Sequence, residues 1–307
     1  MVKRRKTSWF KKHQDFFLGA ITGIIFIMLG VATYLGIQKY FQARYTSEHP
    51  VIETKKSLVK ELPPEVKKAM TIATPSATFR VPILLYHYVE YIHDTKDRLR
   101  AELNITPSVF ESQVKTLKDA GYTFMTAKEL GDVLDGKMQL PPKPVLLTFD
   151  DGHWDFATDV LPILKKYNVK ATAYIISGFI GGSDFMSKEQ LQEVVDSGLV
   201  DVGAHTVHHI ALKGRPYAQV QQEIDDSKTW LQDNYHIQVV SFAYPNGSFD
   251  LQSVELVKDD GFTTGVSTVP GIDQNQANRF FMYRLRPGYR TGQSLLDYLT
   301  LSRFAKY

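Results

Sequence analysis

Two short polar runs, each closing an apolar stretch, carry residue types from which a reaction can be built. The first is Leu147-Thr148-Phe149-Asp150-Asp151-Gly152, where adjacent carboxylates end a strand-like pattern and precede a glycine. Successive strand side chains point to opposite faces, so both carboxylates reach one site only if the strand ends there and Gly152 turns the chain. The same run also serves elsewhere as a helix N-cap or a solvated turn, so alone it leaves both uses open. The second is Gly203-Ala204-His205-Thr206-Val207-His208-His209. His205 and His209 stand four residues apart, which puts two imidazoles on one side of a helical turn and suits a metal ion. A lone histidine is most often structural, but a pair at this spacing behind a buried strand favours a metal, with an aspartate as third ligand and open positions for water. His208 is expected to point elsewhere. With no cysteine in 307 residues, any metal must use His, Asp or Glu, and no disulfide is available.

The elements around these runs must bring them together. Strand patterns fall at Val81-Tyr86, Val145-Phe149, Ala171-Ile176, Val200-Ala204, Val239-Ala243 and Thr263-Ser267, with amphipathic helical patterns between nearly all of them. Thr126 with Glu129 and Ser187 with Gln190 fit capping boxes, and Thr106-Pro107 fits an N-cap followed by proline. Gly121, Gly136, Gly198 and Gly261 fall where helices should stop. Alternating strands and helices predict an α/β fold with a parallel sheet. At this length a (β/α) barrel, closed or irregular, is favoured over an open doubly wound sheet, and its active site belongs at the strand C-termini, where both polar runs lie.

The ordered set TFDDG, HTVHH and FAYPNG resembles the NodB-homology polysaccharide deacetylases over about residues 81–290. The resemblance implies an irregular (β/α) barrel that removes acetyl groups from N-acetylated sugars. It makes Asp150 the catalytic base and Asp151, His205 and His209 the ligands of one divalent metal, often Zn, with Co, Ni or Mn compatible with the same donors. It also implies an oxyanion held by a backbone N–H of the third motif, which falls on Asn246. Here the family's Arg and Tyr in that motif are replaced by Ala243 and Asn246; any residue but proline keeps the backbone donor.

Other departures follow from the same comparison. Without the usual Arg, Arg284 or Arg286 is expected to hold the base through two bonds, the alternative being a structural ion pair. No histidine follows His236, so the general-acid His of many members is missing. Its work falls to Asp150 in return, to metal-bound water, or to His87 or His153, either of which is otherwise structural. The LLYH, FAYP and MYR segments look like the branch acting on poly-N-acetylglucosamine exopolysaccharide in biofilms. A peptidoglycan deacetylase and a non-catalytic surface carbohydrate-binding protein are the alternatives. Trp154, Tyr244 and Tyr289 are candidates to stack on sugar faces, or plain packing residues.

The composition, 43% hydrophobic and 22% charged, is that of a folded protein. Its net charge of +3 is local: residues 1–15 hold Lys3, Arg4, Arg5, Lys6, Lys11 and Lys12 against Asp15. Such clustering is not the spread basic surface of a nucleic-acid binder. It abuts an uncharged stretch, residues 16–37, whose length at about 1.5 Å per residue spans a bilayer core of about 30 Å. A basic cytoplasmic tail (1–15), a single transmembrane anchor (16–37), a polar stem (38–79) and an extracellular catalytic domain (80–307) are therefore expected, with the N-terminus inside the cell. A core helix or a cleaved signal peptide is the competing reading of 16–37. A short helix near Pro64-Met70 is expected within the stem.

Overall fold

The computed structural model describes residues 61–72, 77–92 and 97–301. The chain divides at Leu58/Val59, and all of these residues belong to the second unit. The expected basic tail and membrane anchor lie outside them. Among the described residues no helix is long and apolar enough to cross a membrane.

The central element is a seven-stranded parallel sheet. Its strands are β2 (Ile83–Tyr86), β5 (Thr123–Met125), β6 (Pro144–Phe149), β7 (Ala171–Ile175), β8 (Val200–Ala204), β9 (Ser241–Ala243) and β10 (Thr264–Val266). The order is β10-β9-β8-β7-β6-β2, with β5 pairing the first residues of β6 and β2 pairing the rest. Two small pairs flank it: β1 (Phe79–Arg80) with β11 (Asp273–Gln274), and β3 (Tyr88–Val89) with β4 (Asn104–Ile105). The sheet curls into a half-barrel. Its open side is crossed by the Met282–Leu285 segment, which bridges Val266 through Met282 and Leu84 through Leu285. The expected barrel is thus irregular: one side is an extended segment held by single bridges.

Helices start and stop for local reasons. Helix α3 (Pro107–Asp119) has Thr106 as N-cap and buries Phe110, Gln113, Val114 and Leu117, one face at helical spacing. Capping boxes open α4 (Ala127–Leu134) at Thr126/Glu129 and α6 (Lys188–Asp196) at Ser187/Gln190. The four expected helix-stop glycines all take positive φ. Helix α1 (Pro64–Ile72) lies in the expected stem, yet Val66 is 1% exposed in the main core with Leu62 and Met70 against it. That part of the stem therefore packs on the catalytic unit, because its amphipathic face has apolar surface to bury.

Strand alternation splits the core in two. Val145, Leu147 and Phe149 face the outer helices, whereas Ile83, Leu146, Tyr174, Ala243, Val266 and Met282 fill the barrel with Met125, Leu130 and Leu134. The start of α4 joins the early part of β7, Ala127 N–H donating to Thr172 Oγ1 (2.9 Å). With its lower end filled in this way, the barrel leaves its upper end, the strand C-termini, for polar groups.

Candidate active site

Asp150 and Asp151 follow β6 directly. Asp150 continues the inward series Leu146, Thr148, Asp150, while Asp151 at φ 82 and Gly152 at φ 84 turn the chain so that the second carboxylate also stays at the site. A Cβ on Gly152 would sit 3.0 Å from Ile175 Cδ1, so the turn is both left-handed and tightly packed.

His205 follows β8. The helical turn expected for His205-His209 is not formed; the segment is a loop in which Thr206 (φ 66) and His209 (φ 55) are left-handed. Those two reversals, with His209 N–H donating to Thr206 Oγ1 (3.0 Å), bring the two rings to 4.9 Å between centroids. His208 turns outward and pairs with Glu223 (2.7 Å) of α7 (Tyr217–Tyr235). The Glu223 carboxylate also accepts from Val207 N–H and His208 N–H, anchoring the loop. Glu223 lies on the face of Val220, Ile224 and Leu231, and a carboxylate on an apolar helix face was the sequence signal for this role.

Asp151, His205 and His209 meet: one ligand atom from each lies within 4.8 Å of the others. Asp151 Oδ1 is 3.3 Å from both His205 Nε2 and His209 Nε2, and it is buried without a hydrogen-bond partner. His205 Nδ1 faces the Ala243 carbonyl at 2.7 Å. A carbonyl only accepts, so Nδ1 carries the proton and the Nε2 lone pair faces Asp151. An unpartnered buried oxygen and a presented imidazole lone pair are what a divalent cation requires, so the residues fit one. Burial opposes ionisation of Asp151, but His153 and His205 outweigh it and hold its pKa well below the usual aspartate value. Burial and His205 together push His209 down.

Asp150, 3% exposed, is gripped by Arg284, 2% exposed: Nη1 to Oδ1 and Nη2 to Oδ2, both 2.7 Å. Arg284 is held in turn by Ser267 O at Nε (2.7 Å) and by Thr148 Oγ1 at Nη1 (3.2 Å). Burial raises the Asp150 pKa, yet the Arg284 charge and bonds win, and it lies below the ordinary value. Arg286, the other candidate, is exposed and makes no such pair. His87 follows β2, half-buried, and burial drops its pKa to about 4 despite the pull of Asp150 and Asp151. Asn246 lies on the exposed rim at φ 58, in the loop after β9 whose Ala243 carbonyl holds His205.

His153 is 4% exposed and stacked on Tyr88, and its ring nitrogens face Asp184 O and Asp151 Oδ2. Of the aromatic candidates, Tyr244 is fully buried and belongs to the core, where it packs on Phe242 and Phe249. Tyr289 is 44% exposed, and Trp154 lines a groove with Tyr91, Asp97 and Arg100.

Residues 137–265 match the polysaccharide deacetylase family. YxkH of Bacillus subtilis (strain 168), provisionally named a polysaccharide deacetylase, is 32% identical over 207 residues, 67% of this chain and 71% of its own length. The chain belongs to the polysaccharide deacetylase family. By that membership it is a hydrolase of carbon–nitrogen bonds other than peptide bonds. A Staphylococcus aureus poly-β-1,6-N-acetyl-D-glucosamine N-deacetylase is 28% identical over 195 residues, 59% of this chain and 67% of its own. Among solved structures, the Streptococcus pyogenes deacetylase PplD in complex with acetate superposes with a TM-score of 0.67 at 28% identity, covering 72% of this chain and 98% of that one.

Proposed function

We propose that the chain hydrolyses the acetamide of N-acetylglucosamine units in an extracellular poly-N-acetylglucosamine-type polysaccharide, releasing acetate, with one divalent cation held by Asp151, His205 and His209. The carrying observation is the meeting of those three ligand atoms beside a buried carboxylate, Asp150, clamped by Arg284. The polymer is suggested by the name of the S. aureus relative. The extracellular setting is suggested by the basic tail and apolar stretch that precede the domain.

When bound, the cation would polarise the acetamide carbonyl and acidify a water molecule; zinc suits the donor set, as do cobalt, nickel and manganese. Asp150 is ionised at neutral pH and takes a proton from the attacking water. Arg284 fixes the carboxylate plane, so proton transfer needs no rotation of the base. Asn246 supplies the backbone N–H for the developing oxyanion. Asp150 then returns the proton to the amine nitrogen, and the C–N bond breaks. His87, neutral at pH 7, is limited to offering or accepting a hydrogen bond in this scheme.

The test is acetate release from N-acetylglucosamine oligomers by wild type and Asp150→Asn, with metal content measured on both and with chelator and metal add-back. Asp150→Asn should keep its metal and lose about 10²- to 10⁴-fold in rate. Wild-type activity unaffected by complete metal removal sinks the reading. Parallel assays on peptidoglycan decide the polymer.

A further inference from the structure

We infer that Gln274 is a positioning residue for Arg284, its side-chain amide pairing the closing segment as a neighbouring strand would; this rests on the reading of Asp150 as the base. The guanidinium meets Asp150 through two bonds of 2.7 Å, and a planar fork tolerates little displacement. Its backbone is nevertheless carried by a segment bridged one residue at a time. Met282 is bonded to β10, its N–H donating to Gly265 O (2.7 Å) and its carbonyl accepting from Ser267 N–H (2.9 Å). Leu285 is bonded to β2 in the same way, through Ile83 O and Leu85 N–H, both at 2.8 Å.

Between these bridges, both backbone groups of Tyr283 are met by one side chain. Tyr283 N–H donates to Gln274 Oε1 (3.1 Å), and Gln274 Nε2 donates to the Tyr283 carbonyl (2.9 Å). That is the two-bond exchange made by directly opposed residues of paired strands. The peptide joining Tyr283 to Arg284 is thus held at both edges: its carbonyl by Gln274, its N–H by Val269 O (2.9 Å). The direction in which the Arg284 side chain leaves the backbone is set there.

The amide itself is fully committed. Nε2 also donates to Val81 O (3.4 Å), and Oε1 also accepts from Asn278 Nδ2 (3.3 Å), so two donors and two lone pairs all have partners. Turning the amide over would set its oxygen against two carbonyls and its nitrogen against two donors, so these partners fix its orientation. Gln274 is 0% exposed in β11, which pairs with β1, and Asn278 is tied to the Asp273 carbonyl (3.0 Å). Buried and with every polar position used, Gln274 reaches the reaction only through the peptide it holds.

The full chain is compared with Gln274→Met, which keeps length and approximate volume and removes the amide, in the wild-type and the Arg284→Lys backgrounds. In acetate release from N-acetylglucosamine oligomers, kcat should fall about 10- to 100-fold with KM within about 2-fold. In Arg284→Lys, whose point charge has no fork to align, the same change should cost less than about 3-fold, whereas a general loss of structure lowers both backgrounds alike. Amide hydrogen exchange reads the segment without substrate. Peptides covering residues 282–285 should exchange about 10-fold faster, and those covering β6 and β8 at the wild-type rate. If Gln274→Met does not fold, Gln274→Asn, a methylene too short to reach both groups of Tyr283, is held to the same criteria. Unchanged kcat, an equal loss in both backgrounds, or unchanged exchange at 282–285 overturns the inference. A wild-type chain that releases no acetate overturns the proposed function instead, and the exchange comparison alone then decides the inference.

Discussion

A single guanidinium decides the state of the proposed base, Asp150. Burial would push Asp150 towards its neutral form, and Arg284 reverses the sign. Lysine at 284 keeps a charge but not the planar fork. Arg284→Lys should lower kcat about 10- to 100-fold, the equivalent of one lost charge-assisted bond at about 1.5–3 kcal/mol. Because the wild-type pKa is depressed, weakening the clamp raises it, so the acid limb of the kcat–pH profile, measured at saturating metal, should move to higher pH. An unmoved limb would show that Arg284 does not set the base. Asp155 shows the opposite balance: burial lifts its pKa to about 6, although its Oδ2 accepts from Val89 N–H at 2.5 Å. Its folded pKa exceeds the unfolded one, so the native state binds more protons between about pH 4 and 6, and stability falls as pH rises through that window. Asp155→Asn keeps an oxygen for Val89 and removes the charge. Relative to wild type it should gain about 1–3 kcal/mol near neutrality and nothing below pH 4, read from urea melts at several pH values. The Asp-Asp-Gly and His-x-x-x-His runs were legible in sequence because their residue types are costly to bury without a use. The Arg284 clamp was legible only as a pair of candidates, since its partner lies 134 residues away.

Single bridges to β10 and to β2 place Arg284 across the open side of the half-barrel. Gly265 permits the approach: a Cβ there would lie 2.3 Å from Phe280 O, and Met282 N–H donates to Gly265 O at 2.7 Å. Gly265→Ala should push the segment outward, costing about 1–3 kcal/mol in stability by overpacking and lowering kcat with it. Unaltered kcat in a correctly folded Gly265→Ala protein would separate the closing segment from the chemistry. Six main strands were readable because apolar runs bounded by caps and glycines are local features. Three-residue β5 was not, nor was the closing segment, which lacks alternation and pairs one residue at a time. The helical turn expected at His205-His209 failed for a related reason. Spacing alone cannot register that Thr206 and His209 adopt left-handed backbone, a conformation that side-chain patterns do not announce.

At the scale of the whole chain, an enzyme domain follows a proposed anchor. The full chain should sediment with membranes through a high-salt wash, be released by detergent, and expose its domain to protease on intact cells; recovery in the soluble fraction would remove the anchor. The catalytic unit begins earlier than composition suggests, since charged residues around Val66 mask a helix that the core covers. The class of fold was legible because strand and helix periodicities alternate over most of the chain, whereas closure depends on distant pairing. That closure has a consequence for biosynthesis. A nascent chain emerging through residue 281 already carries the proposed metal ligands and the proposed base, yet lacks the guanidinium that keeps that carboxylate ionised. Competence therefore waits for a residue synthesised well after the pair of aspartates it serves.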